Sequence, residues 1–550
     1  MNQAPTLIIG TGLSGLVAAY EITKAGKKVI LLEQENRNNL GGQAFWSFGG
    51  LFFINSPQQR RLAVKDSFAL ACQDWMGSAA FDREEDYWPK QWAEAYLQFA
   101  HTQKYEYVKS LGMRFFPIVG WAERGGGKAQ GHGNSVPRFH ITWGTGPGVV
   151  KPFVDHALAM EKQGLLEFKF RHQVSKLQLE ANGSILLSGN RLAEDDAARG
   201  KASNREIVDS FTLKAARVII ASGGIGANIA MVKKQWPARL GTPPEHMVCG
   251  VPAYVDGKML QAAEDAQVRL INKDRMWHYT EGLTNWDPIW PNHGIRILPG
   301  PSSIWLDAFG NRLPAPLFPG FDTLATLQHI QNSGKSYSWF ILNQSIIKKE
   351  FALSGSEQNP DLTNKDYSLI LKRLFGKKAT APVEAFKAHG EDFIVASNLE
   401  ELVQGMNALS GEGLLQFENV KAIIEARDRE MDNKFTKDFQ VSYLQNTRRY
   451  LGDKIARTAK PHKILDPKHG PLIAVRLQIL TRKTLGGIET NLNGQAFLQS
   501  GELIPNLFAV GEAAGFGGGG MHGYNALEGT FLGGCIFTGK TVGQYIANTD

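Results

Sequence analysis

The chain has 550 residues, 43% of them hydrophobic and 21% charged, with a net charge of +7. That length implies more than one domain, and a charge this mild, with no basic run, does not specify a nucleic-acid partner. Cys72, Cys249 and Cys535 stand far apart with no C-x-x-C spacing, so zinc-ribbon, dithiol-redox and haem-attachment chemistry are excluded and no metal is expected.

Thr6 to Gly10 is a short apolar run of the kind that forms a buried parallel strand. Gly10, Gly12 and Gly15 then spell G-x-G-x-x-G, Leu13 to Ala25 has helical spacing, and Val29 to Leu32 is a second apolar strand closed by Glu33. In such a unit the first glycine makes the tight turn, the second lets a pyrophosphate approach the backbone, and the third packs helix on strand. The helix N-terminus offers free N–H groups to the phosphates. A carboxylate at Glu33 suits a ribose diol, which favours FAD or NAD over NADP. The alternative is a tight turn without a ligand. The first strand starts almost at once, without a secretory n-region, and no apolar run approaches the ~20 residues of a membrane span, so a cytoplasmic protein is expected.

Gly41-Gly42 and Gly49-Gly50 bracket Ser47, a pattern suited to backbone lying against a flat ring. Residues 60–112 read as amphipathic helices. Residues 121–148 contain eight glycines and cannot form one regular element; Arg138 and His140 in this stretch suit either an acidic substrate group or structural hydrogen bonds. Leu165 to Leu187 reads as a hairpin turning at Asn182-Gly183, and residues 191–206 as a polar, flexible excursion. Arg217 to Ala221 is a buried strand running into Ser222-Gly223-Gly224.

From about 276 to 464 the composition changes, with Trp277, Trp286, Trp290, Trp305 and Trp339 followed by charged helices, and this reads as an inserted domain. Its end is basic (Arg448, Arg449, Arg457), most simply a solvated face. From 465 the first style returns: a strand LIAVRLQIL, a glycine turn, a strand ending at Gly511-Glu512, and a glycine-rich loop feeding a helix from Thr530 to Ile546. A helix N-terminus there suits an electron-rich group such as a flavin carbonyl.

GTGLSG…LLE, RVIIASGGIGAN, TLGGIETN and IPNLFAVGEAAG…HGYNALEGT, in that order, resemble the FAD-dependent flavoprotein superfamily of fumarate reductase and succinate dehydrogenase, and within it the 3-ketosteroid Δ1-dehydrogenase-like branch. The resemblance implies an α/β fold. A Rossmann-like FAD-binding domain of glutathione-reductase type (1–275 and 465–550) would carry an inserted α+β cap (276–464). It places Gly10, Gly12, Leu13, Ser14 and Gly15 at the pyrophosphate, and Glu33 with Gln34 at the adenosine ribose. Gly41, Gly42, Gln43, Ser47, Gly49 and Gly50 would lie along the flavin. Val174 would meet adenine through its backbone, and Ala221, Ser222 and Gly223 would wall the adenosine side. Gly511 and Glu512 would reach the ribityl chain, and Thr530, Phe531 and Leu532 the pyrimidine edge. No histidine occurs in GGQAFWSFGG, so FAD should be non-covalent. Ala526 and Lys483 stand where fumarate reductases carry an arginine and a histidine, which disfavours fumarate reduction.

By the same resemblance, Tyr524 matches a ketosteroid-enzyme tyrosine and is expected as donor or base at the flavin, with a packing role as the alternative; Phe115, Phe116, Trp121 and Phe321 stand near the places of two further tyrosines. Lys483, with Arg482, would hold a carboxylate or stabilise reduced flavin, or lie at the surface. His522 reads as a loop-fixing histidine. The expected reaction is desaturation of a CH–CH bond next to a carbonyl in a hydrophobic or cyclic small molecule, with an unidentified electron acceptor. The alternatives are a flavin-dependent reductase of an activated alkene and, more remotely, a flavin-containing nucleic-acid binder.

Overall fold

The computed structural model describes residues 4–121, 123–126 and 131–549. Positions 122 and 127–130 of the predicted glycine-rich loop lie outside the described residues. The N-terminal apolar run forms β1 (Thr6–Ile9), followed by α1 (Leu13–Lys24) and β2 (Val29–Leu32). β1 lies between β2 and Val218–Ile220, parallel to both. The sheet extends to Leu166–Lys169 on one side and Leu503–Ala509 on the other, and Gln495–Phe497 adds an antiparallel edge. Every residue of β1 is buried. Both sheet faces are therefore covered, which explains a continuous apolar run in place of an alternating one.

The two ends of the chain meet on this sheet. α1 packs on the C-terminal helix Thr530–Asn548. A Cβ on Gly539 would sit 2.5 Å from the Ser14 carbonyl oxygen, and one on Gly543 2.9 Å from that of Ala18. Glycine at these two positions lets the helix backbones touch.

A second, eight-stranded sheet runs in the order Ile304–Asp307, Tyr337–Asn343, Leu472–Thr484, Met276–Thr284, Gly294–Leu298 and Ala352–Leu353. Val248–Cys249 and Phe393–Ala396 also pair with Leu472–Thr484. The sequence places everything after 465 with the first domain. Pairing puts Leu472–Thr484 in the second sheet instead, and the chain returns to the first sheet only beyond it. The first half of this strand pairs with Tyr337–Asn343 and its second half with Met276–Thr284, so Arg482 and Lys483 arrive where the two sheets approach. Trp277, Trp290, Trp305 and Trp339 are core residues, whereas Trp286 is exposed.

The helices expected over 60–112 form as Pro57–Arg61, Phe68–Ala79, Tyr87–Thr102 and Lys104–Ser110. The hairpin forms as His172–Leu179 and Ile185–Leu192, with Gly183 at φ 80° in the turn. The 191–206 excursion is not loose. Arg199 donates to the Leu40 carbonyl (2.7 Å), the Gly200 N–H to Asn39 Oδ1 (3.0 Å), and Asn36 Nδ2 to the Ala197 carbonyl (2.9 Å). These bonds strap it over the segment after β2.

Candidate active site

A cavity of about 320 Å³ begins at the C-terminal ends of β1, β2 and Val218–Ile220 and extends toward the second sheet. At its first end lie Gly10, Gly12, Leu13 and Ser14. Gly12 caps α1 with no side-chain hydrogen bond, which leaves the first-turn N–H groups free for an anion. A Cβ on Gly12 would meet nothing nearer than 4.0 Å, so this position faces open space. Gly10 and Gly15 are different. A Cβ would lie 2.6 Å from the Ala221 carbonyl oxygen in the first case and 2.3 Å from the Gly10 carbonyl oxygen in the second. Gly15 is thus a packing glycine behind the wall, and Gly41, bridged to Gly12, is another.

Glu33 lines the same end. Its Oε2 accepts from the Thr11 N–H (2.9 Å) and hydroxyl (2.6 Å), and its Oε1 from the Glu35 N–H (3.0 Å). Burial raises its pKa, and these hydrogen bonds act against that rise. A carboxylate has about four acceptor sites, so one is left for a ribose hydroxyl. Gln34 donates to the Tyr254 carbonyl (3.2 Å) and accepts from Gln173 (2.9 Å). Tyr254, which sequence reasoning missed, lines the cavity with its hydroxyl buried and without a hydrogen-bond partner among the described residues. Val174 lies on the edge strand of its sheet, so alternate backbone groups there face away from the neighbouring strand. Ala221, Ser222 and Gly223 complete this end.

Farther along, Gly42, Gln43, Ser47, Gly49 and Gly50 form one wall. A Cβ on Gly50 would fall 1.9 Å from the Phe139 ring, so glycine is required there for that ring to pack. Phe531 and Leu532 form the other wall, at the start of a helix capped by Gly529 with no side-chain hydrogen bond. Thr530 is turned inward to His522 (2.8 Å), which is buried and held at about 3 by that burial, the loop-fixing role expected. Gly511 also lies behind the wall, against Ser14. Glu512 faces the cavity and accepts from Gln43 (2.6 Å), the Thr484 N–H (2.9 Å) and Lys483 (3.4 Å). Lys483 also bonds Gln43, and burial lowers its pKa. An uncapped helix start, an open Gly12, an orphaned tyrosine hydroxyl and a glycine-lined slot are the parts a dinucleotide flavin needs, and the residues present fit FAD.

Three predicted catalytic residues lie elsewhere. Arg138 has no exposed side-chain surface and is held by Asp66 (2.8 Å) and Asp74 (2.5 Å). Four of its five N–H donors are taken by Asp66, Asp74 and Asn134, and it does not line the cavity, so it is not placed to meet a substrate acid. His140 bonds the Ser56 hydroxyl (2.7 Å) and the Arg138 carbonyl (2.8 Å), and burial pushes it down to about 4. It is neutral and structural. Tyr524 stands outside the cavity lining, donating to Asp82 (3.1 Å) with its ring under the Arg275 (4.2 Å) and Arg239 (4.8 Å) guanidinium groups. Of the four, Lys483 alone lines the cavity.

The polar group that does face the cavity is Glu528 with Tyr279 and Arg296. Glu528 Oε1 accepts from the Tyr279 hydroxyl (2.7 Å), Arg296 Nη1 (2.7 Å) and Trp277 Nε1 (3.4 Å). The Arg296 guanidinium covers the Tyr279 ring at 3.6 Å, and Glu281 lies 3.8 Å from Arg296. No donor among the described residues reaches Glu528 Oε2. Burial and the neighbouring carboxylate push the Tyr279 phenol up, so it remains a donor. The sequence signal was the alternation Trp277, Tyr279, Glu281 in a strand, and a carboxylate two residues beyond Ala526.

A family model described as an FAD binding domain matches residues 6–532. The chain is 56% identical over 541 residues to a KsdD-like steroid dehydrogenase of Mycobacterium tuberculosis (strain CDC 1551 / Oshkosh), covering 98% of this chain and 95% of the relative. It is 56% identical over 532 residues to a KsdD-like steroid dehydrogenase of Mycolicibacterium smegmatis, covering 97% and 96%. Among solved structures, 3-ketosteroid Δ1-dehydrogenase from Sterolibacterium denitrificans in complex with 1,4-androstadiene-3,17-dione superposes with a TM-score of 0.69 at 15% identity, over 100% of each chain. That likeness is one of fold: a mixed helix and sheet architecture similar to FAD-dependent flavoprotein dehydrogenases.

Proposed function

Because the chain belongs to the FAD-binding family of the KsdD-like steroid dehydrogenases, we propose that it desaturates a carbon–carbon bond next to the carbonyl of a cyclic, steroid-like ketone. The observation that carries this reading is a shared cavity. The FAD cradle and the Tyr279–Arg296–Glu528 group open on the same space, whose wall also includes Phe116, Trp121, Leu298 and Phe351. An apolar ring system suits that wall, and a single carboxylate suits one C–H bond made acidic by a carbonyl.

FAD, when bound, supplies the acceptor for the hydride that leaves the β carbon. The chain supplies the rest. Glu528 Oε2 takes the α proton. Arg296, Tyr279 and Trp277 fix Oε1 and so aim Oε2, and Arg296 gives the carboxylate its countercharge. Lys483, gripped by Glu512 and Gln43, places its amine at the flavin slot.

In this reading the β1 sheet is a Rossmann-type FAD domain and the unit built on the second sheet is an α+β cap. FAD is held non-covalently, and an external acceptor reoxidises it. The cytoplasm is the proposed compartment, and the three free cysteines fit its reducing conditions. The test is anaerobic mixing of the yellow holoprotein with 3-ketosteroids, simpler cyclic ketones and enoates. Bleaching of the flavin band near about 450 nm by a saturated ketone supports the proposal. No bleaching by any ketone, with fast reoxidation of reduced enzyme by an enoate, would replace it with alkene reduction.

A further inference from the structure

Two helices of the second unit frame the cavity. Ile370, Arg373 and Leu374 of the helix Tyr367–Phe375 line it, as do Ile455 and Ala456 of Leu451–Ala456. The first helix is apolar on a second side as well. Tyr367, Leu371 and Phe375, spaced at i, i+4 and i+8, are 70%, 58% and 78% exposed. Leu451 and Ile455, spaced at i and i+4, are 51% and 39% exposed. A stripe of this kind beside a cavity mouth is not explained by packing within the chain. It is continuous with the cavity wall: Phe116, a lining residue, stacks on Trp143 (5.9 Å), and Trp143 packs on Tyr367 (5.6 Å).

The charge around the stripe is predominantly positive. Lys365, Lys372, Lys377, Lys378, Arg449 and Lys454 are exposed. Two of the three carboxylates of the same segments are committed to buried ion pairs. Asp361 is buried against Arg373 (2.9 Å) and Asp453 against Arg124 (2.5 Å). Asp366, which caps its own helix through the Ser368 and Leu369 N–H groups (2.8 and 3.1 Å), stays ionised and is the one acid left against these six cations.

We infer that this rim docks on an anionic lipid bilayer. Exposed aromatic and leucine side chains on one helix edge, flanked by exposed lysines, form the pattern of an interfacial element. The basic flank supplies attraction to acidic headgroups and the apolar stripe enters the headgroup boundary. Among the described residues no helix is long and apolar enough to cross a membrane, so contact would be peripheral. The inference concerns where the cavity mouth sits, not the reaction, and does not depend on the substrate.

The holoprotein should be sedimented with vesicles of phosphatidylcholine alone and of phosphatidylcholine containing about one third phosphatidylglycerol. The expected result is binding to the anionic vesicles at least about tenfold tighter than to the neutral ones, reversed by about 0.5 M salt. A Leu371→Ser/Phe375→Ser variant and a Lys372→Glu/Lys377→Glu/Lys378→Glu variant should each lose at least about tenfold in binding with flavin content unchanged. The charge variant carries the test if the serine variant does not fold. The inference is overturned if the parent ignores phosphatidylglycerol or if both variants bind as the parent does. It is also overturned if the serine variant only converts a dimer to a monomer in ultracentrifugation, which would make the stripe a self-association face.

Discussion

Glu528→Gln separates a proton acceptor from a structural carboxylate. In the parent, Oε1 accepts three hydrogen bonds, from Tyr279, Arg296 and Trp277, while Oε2 is left without a described donor. A glutamine carbonyl in the Oε1 position keeps all three donors paired. Arg296 retains Glu281 at 3.8 Å as a second carboxylate. The cost to folding is then the difference between charged and neutral acceptors, about 1–2 kcal/mol. The cost to the reaction is larger. A positioned general base is worth about 10²–10⁴-fold, or about 3–5 kcal/mol of barrier at 1.36 kcal/mol per decade. The assay is anaerobic stopped-flow reduction of bound flavin by a ketone substrate, with flavin content and denaturation midpoint measured beside it. The variant should be yellow, nearly as stable as the parent, and slower by about 10²–10⁴-fold. Tyr279→Phe removes one donor from a carboxylate that Arg296 still holds, so its effect should be smaller, about 10- to 100-fold. A Glu528→Gln protein that holds FAD and reduces at the parental rate would refute the role of Oε2.

Gly12→Val should keep the parent's circular dichroism and lose FAD, because the added side chain enters open space where phosphate belongs; Gly15→Val should lose both, since its Cβ meets the Gly10 carbonyl. Arg138→Met leaves Asp66 and Asp74 buried without their countercharge, and should cost about 3–5 kcal/mol in urea unfolding; a fall in turnover with unchanged stability would return Arg138 to the substrate site. His140 is held at about 4, and His278, His293 and His522 at about 3, against 6.5 when unfolded. The unfolded chain binds these protons more readily, so their contribution to stability is full above pH 6.5 and is lost as pH falls toward 4 and then 3; denaturation midpoints measured across that window should fall, and less steeply for His140→Gln. Acid precipitation should leave the flavin in the supernatant as intact FAD, and flavin remaining in the washed pellet would refute non-covalent binding.

The elements that sequence located to within one or two residues are those fixed by steric necessity. At Gly10 an added Cβ would lie 2.6 Å from the Ala221 carbonyl oxygen, so the turn tolerates only glycine, and the glycine spacing there announces β1, α1 and β2 together. The C-terminal helix begins at Thr530 as expected for the same kind of reason, a glycine at positive φ just before it. Leu472–Thr484 shows the opposite case. Its strand character is local and was legible, but its partners Tyr337–Asn343 and Met276–Thr284 lie more than a hundred residues away, and nothing in an apolar strand states which sheet it joins. The 191–206 excursion failed in the same way. Its polar residues look solvated until Asn36, Asn39 and Leu40 are seen to receive them.

The misplacement of Tyr524 follows from four residues of chain. A Cβ on Gly523 would lie 2.1 Å from the Ala79 carbonyl oxygen, and the Tyr524 N–H donates to that same oxygen at 2.9 Å. The backbone is thus pinned against the helix Phe68–Ala79 at the point where the tyrosine emerges, and the ring is directed to Arg239 and Arg275, away from the cavity. Past this clamp the chain turns inward, and the next titratable side chain it presents is Glu528. Its partners come from elsewhere: Tyr279 and Arg296 sit on two strands of the second sheet, 249 and 232 positions earlier. The FAD cradle is readable in sequence because most of its separate segments carry a local signature of their own, a glycine turn at a strand or helix end. The proposed proton-handling group is not, because it exists only once the second sheet has carried a phenol and a guanidinium to a carboxylate near the C-terminal helix.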